Sequence, residues 1–166
     1  IKIIAMNKKR IYFAVTAAVI FTAAVLLCII ISISNNNKEL VLRDLDTGKV
    51  YGRYELVEGD TFAITFVHSV NKSPVTEVYR IKNNKIYLEE CLYYAFGAGV
   101  ATTLEGEQTL SYGENGEMII SNINTLMYDL IYVVGTVSDH VLEVQNTEIS
   151  LRELCGQNSS VSFIYE

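Results

Sequence analysis

Residues 61–94 read TFAITFVHSVNKSPVTEVYRIKNNKIYLEECLYY. Phe62, Ile64, Phe66 and Val70 recur at every second place, then Val75, Tyr79 and Ile81, then Ile86, Leu88, Leu92 and Tyr94. Successive side chains of a strand point to opposite faces, so this period predicts strands over 61–70, 75–81 and 86–94, each with one buried face. The polar stretches 71–74 and 82–85 are turn signals that fold the three strands into an antiparallel meander.

The same rhythm continues on both sides. Stretches 40–43 and 49–57 flank Asp46-Thr47-Gly48. Stretches 107–112 and 118–121 flank Gly113-Glu114-Asn115-Gly116, and 126–134, 137–144 and 161–165 complete the set. Residues 149–154 read as a short helical turn. Eleven tyrosines and abundant Val and Ile favour strands, and no stretch after Ser34 carries a long helical stripe. The expected fold class is all-β: an antiparallel sandwich or barrel of roughly nine to eleven strands, preceded by one N-terminal transmembrane helix.

Three polar residues interrupt the apolar faces of the meander: His68, Glu77 and Glu90. If Val70 faces Val75, His68 faces Glu77; if Ile81 faces Ile86, Glu77 faces Glu90. The three then form one inward polar row, provided that neither hairpin has an odd loop or a bulge. His140, the only other histidine, shares the inner face of Leu142 and Val144, with Asp139 opposite. Two inward carboxylates need a cation, a shared proton or water. The row reads as a buried hydrogen-bonded network, or as the lining of a ligand pocket. A zinc or manganese site using His68, Glu77, Glu90 and His140 is a third reading, without a recognised ligand spacing. Catalysis is a fourth, and no nucleophile–base pair supports it.

Residues 11–33 carry no charge. About twenty apolar residues suffice to cross a bilayer, so this stretch is expected to anchor the chain. Lys8-Lys9-Arg10 precedes it and a net-acidic domain follows, so 1–10 are expected in the cytoplasm and 40–166 outside it, after a linker over 34–39. Met6, just before the basic cluster, reads as the true start, with 1–5 an upstream extension. The rival is a signal peptide cleaved near Ser34, although its apolar core is usually only about 7–15 residues. Outside the cytoplasm Cys91 and Cys155 could pair, or pack as free thiols. A net charge of −6 argues against nucleic acid, and no cofactor is called for.

Two weaker motifs are set against plainer readings. Ser69-Val70-Asn71-Lys72 matches the S-x-x-K of penicillin-binding enzymes, but that motif opens a helix and this one ends a strand. Gly97-Ala98-Gly99 could present amides to an anion, or could simply supply glycine dihedrals to a loop.

The segment 66–79, with His68-Ser69, a short turn, Pro74-Val75, Glu77 and Tyr79, resembles the signature of the family known as domain of unknown function 1850. Glu90 followed by Phe96-Gly97-Ala98-Gly99 fits as well, as does Val134-Gly135-Thr136-Val137-Ser138-Asp139-His140. Residues 100–103 depart from it, where a more proline-rich loop is expected. The resemblance runs over most of 40–166 and falls on the residues that alternation singles out. It implies a small secreted or membrane-tethered protein near TAXI-type TRAP transporters, in contact with the permease or its solute-binding protein. The expectation is thus a non-enzymatic accessory or binding module, and the alternative a metal- or small-ligand-binding β domain using the His/Glu row.

Overall fold

The period-two pattern is realised as two antiparallel sheets. The computed structural model describes residues 8–34, 38–94 and 103–166. The chain divides into two units between residues 37 and 38. The first holds helix α1 (Lys8–Ser34). Among the described residues no helix is long and apolar enough to cross a membrane. The side chains of α1 are described over 12–27 alone, a stretch short of the about twenty residues a span requires. The anchor expected over 11–33 is therefore not established by the described structure.

The second unit holds the strands. The smaller sheet has the order β2-β1-β12-β9, from β1 (Glu39–Asp44), β2 (Val50–Glu55), β9 (Leu130–Val133) and β12 (Ser160–Tyr165). The larger has the order β11-β10-β3-β4-β5-β7-β6, from β3 (Thr61–Val67), β4 (Pro74–Lys82), β5 (Lys85–Tyr93), β6 (Thr109–Tyr112), β7 (Met118–Ser121), β10 (His140–Val144) and β11 (Thr147–Ser150). The two-residue β8 (Thr125–Leu126) pairs with β5. Helix α2 (Leu151–Cys155) follows β11; its N-cap Ser150 accepts from the Glu153 amide. The sheets are open, so the fold is a sandwich and the barrel alternative falls away.

Two departures from the expected strands have local causes. The stretch 126–134 is broken at Tyr128-Asp129, where the chain leaves the larger sheet for the smaller, with Tyr128 exposed. Strand β11 was not expected; it closes on β10 through Gln145 (φ 52°) and Asn146 (φ 59°). Two consecutive left-handed residues match the twist of a two-residue hairpin. Asn83 and Asn84 do the same between β4 and β5.

The core lies between the sheets. Leu40, Leu42, Val161 and Phe163 from the smaller sheet meet Phe62, Ile64, Tyr79, Ile81, Leu142 and Val144 from the larger, all buried. Phe62 stacks on Tyr79 at 5.1 Å and on Phe163 at 6.1 Å. A second cluster, Val75, Tyr93, Met118 and Ile120, draws all its buried residues from the larger sheet. Phe66 packs against both.

Candidate functional site

Strand β4 buries Val75, Tyr79 and Ile81, and alternation carries Glu77 to the same interior face. Its carboxylate meets two tyrosines there. Tyr79 Oη donates to Glu77 Oε2 at 2.9 Å, and Tyr132 Oη, from β9 of the opposite sheet, donates to the same oxygen. The two hydroxyl oxygens lie 2.6 Å apart. Burial, together with the Glu77 charge, pushes both phenols well above the ordinary tyrosine range, so each keeps its proton to donate. This is a hydrogen-bonded tie across the sandwich.

Glu77 does not stand opposite His68. The β3–β4 register pairs Ile64 with Glu77 and Phe66 with Val75. The hairpin turns earlier than expected: His68 N donates to Ser73 O at 2.9 Å, which places the four-residue loop over 69–72. The shift is even, so inner residues stay inner. His68 therefore still faces the interior, beyond the strand end, while Ser69 sits exposed in the turn. The His68 ring braces that turn, its Nδ1 accepting from Val70 N and Asn71 N, both at 3.3 Å. Its ring proton is then on Nε2.

Glu90 is the main correction. Ile81 does face Ile86, but the β4–β5 register shifts between Val78 and Tyr79: Tyr79 opposes Leu88, while Val78 opposes Glu90. One extra residue, Glu89, bulges the strand, and every residue beyond it changes face. Glu90 turns away from Glu77 and accepts from Ser121 Oγ at 3.0 Å. Cys91, which now opposes Glu77, and Tyr93 replace the expected Leu92 and Tyr94 on the inner side.

His140 keeps its predicted face. It pairs with Phe66, stacks on that ring at 5.3 Å and meets the edge of Tyr132 at 5.8 Å. Burial lowers its pKa. Its Nδ1 accepts from Gly135 N at 3.2 Å. A Cβ on Gly135 would lie 2.4 Å from Ser138 O, so the close approach needs glycine. Asp139 points the other way. It accepts from the Arg152 amide at 3.0 Å and from Ser150 Oγ, tying the start of β10 to α2. These bonds hold its carboxyl below the usual range.

Glu77 and His68 share a cavity of about 250 Å³ with Phe66, Val75, Leu88, Cys91, Tyr93, Gln108, Ile120 and Ile123. Among the described residues no lysine or arginine lines it. Burial and the Glu77 charge push the Cys91 thiol up to about 12. Cys91 and Cys155 are free. Among the described residues no group of three or more His, Cys, Asp or Glu is placed to hold a metal ion. The metal set considered above is not assembled: Glu90 faces away and the Phe66 ring covers His140. Gly97 and Gly99 lie outside the described residues.

Sequence reasoning missed Tyr79, Tyr132, Cys91 and Gln108. Tyr79 had a signal, since it lies two residues from Glu77 on the same face. Tyr132 had none, because its approach depends on how the sheets pack. For Cys91 the hint was the adjacent pair Glu89-Glu90, which strict alternation must place on opposite faces.

These features define a class: an antiparallel β-sandwich domain with a mainly apolar cavity, lined by its larger sheet and the adjoining loops, that carries one carboxylate. The family profile described as Domain of unknown function (DUF1850) matches residues 62–151, more than half of the chain, and the protein belongs to that family. The match begins within β3 and ends at the first residue of α2, so it takes in all of the larger sheet but Thr61 and leaves out β1, β2 and β12. No curated protein and no solved structure matches.

Proposed function

We propose that this protein is a non-enzymatic binding module that holds a small molecule in the cavity on the inner face of its larger sheet. The observation that carries the reading is the convergence of Glu77 and His68 on one cavity of otherwise mostly apolar lining. A few placed polar groups on an apolar wall are the usual composition of a small-ligand site. Burial of Cys91 disfavours it as a nucleophile. A nucleophilic thiol has a depressed pKa, and this one is raised.

The domain is tethered outside the cytoplasm by residues 11–33, a reading supported by the uncharged run and the basic cluster before it. Its role is accessory to a solute transporter of the TAXI-type TRAP class, which rests on the family resemblance. Purification of the full chain from mildly solubilised membranes tests both. Recovery in the membrane fraction with the permease or its solute-binding protein is the expected result. A chain found only in the soluble fraction removes the anchor, and a membrane-bound chain that brings down neither partner removes the transporter role.

A further inference from the structure

Resting on the cavity reading above, we infer that the ligand is a small organic ammonium compound, its cationic head held by Glu77 and its apolar body by the cavity wall. Among the described residues Glu77 has no lysine or arginine partner: the three ion pairs there join Arg43 to Glu166, Arg53 to Glu39 and Arg80 to Glu89. The tyrosines donate to Oε2 alone, and Oε1 receives no hydrogen bond among the described residues. A carboxylate in a mainly apolar recess, with one oxygen receiving no hydrogen bond and no lysine or arginine among the described lining residues, favours a ligand that brings a cation. Phe66 and Tyr93 on the lining add aromatic faces, which attract an ammonium by their quadrupole. His68 Nε2–H and the Gln108 amide remain for any acceptor on the same molecule.

Size narrows the class. Water takes about 30 Å³ in the liquid, so a cavity of about 250 Å³ holds a ligand of roughly eight heavy atoms. Benzylammonium has that size, and benzyl alcohol and benzoate are its neutral and anionic counterparts.

Titration of the full chain in mild detergent with these three probes, followed by ligand-observed NMR, tests the inference. Benzylammonium should bind about tenfold or more tightly than benzyl alcohol, as expected of a charge-assisted hydrogen bond against a neutral one. Glu77→Gln should abolish that preference while keeping the alcohol's affinity. If Glu77→Gln fails to fold, Leu88→Trp, which fills the cavity, should remove binding of the amine. Equal or tighter binding of benzyl alcohol or benzoate to the wild type overturns the ammonium assignment and leaves the cavity reading standing. Binding of none of the three overturns both. Amine binding that survives both Glu77→Gln and Leu88→Trp places it elsewhere and overturns the inference.

Discussion

The two ends of the larger sheet are built on different terms. At one end β10, β3 and the far half of β4 are covered by the smaller sheet, and Ile64, Leu142 and Val144 are 2 % exposed or less. At the other, the start of β4, the end of β5 and β7 gather Val75, Tyr93, Met118 and Ile120 into a cluster with no buried residue from the smaller sheet. The bulge at Glu89 lies between the two, and so does Phe66, which packs against both. The cavity opens where the covered end stops. A continuous second layer would have filled it with side chains; a second layer that stops short leaves room beside a carboxylate. The difference teaches that the site is a by-product of unequal sheets: eight strands cannot be covered by four.

The largest expected effects separate the ends directly. Leu142→Ala, in the covered end, should cost about 4 kcal/mol in denaturant unfolding, since a rigid, fully packed surround cannot collapse into the void. Ile120→Ala, beside the cavity, should cost only about 2 kcal/mol, because its neighbours already border space. Equal losses would break the comparison.

Next in size is the tie at the junction. Tyr132→Phe deletes a donor to a carboxylate across the sandwich and should cost about 1.5–3 kcal/mol. Tyr79→Phe deletes the other. The double mutant should lose less than the sum, because both hydroxyls serve Glu77 Oε2 and touch each other. Strict additivity in a double-mutant cycle would show that the two act independently.

The contrast also explains what could be read from the sequence. The covered end follows alternation without interruption: Phe62, Ile64, Leu142 and Val144 lie where period two puts them, and so does His140. The even shift of the β3–β4 turn moved His68 along the interior face without turning it over. Glu77 was legible because a carboxylate on an apolar stripe contradicts its neighbours. Glu90 was misread because a bulge adds a residue without changing composition, and everything after it reverses. The halves of 126–134 lie in different sheets, which a short apolar run does not encode. Tyr132 reaches Glu77 only through sheet packing, so the tie that fixes the carboxylate was invisible.

A smaller effect is set by His140 at the junction. Burial lowers its folded pKa below the unfolded value, so the folded domain binds the proton less readily. The sign follows: stability is full above the model-peptide histidine value near 6.5 and falls as pH drops through the folded pKa. Unfolding curves at pH 7.5 and 5.5 should show a lower midpoint at the acid value. His140→Phe, which keeps the stack on Phe66, should flatten the difference, and an unchanged pH slope in that variant would remove His140 as its source.

The smallest expected effect compares one thiol from each end. Cys155 packs against the covered core and Cys91 against the cavity cluster. Burial pushes the first up to about 11, with Lys49 opposing the rise, and the second up to about 12, with the Glu77 charge reinforcing it. Thiolate is the reacting form, so at pH 8 alkylation of Cys91 should run slower than that of Cys155, and both far slower than a free thiol. Peptide mapping after timed iodoacetamide treatment separates them from Cys28. Glu77→Gln removes the negative charge beside Cys91 and should narrow the gap between the two thiols. A gap that stays the same in that variant would mean that access, not charge, sets the rate at the cavity end.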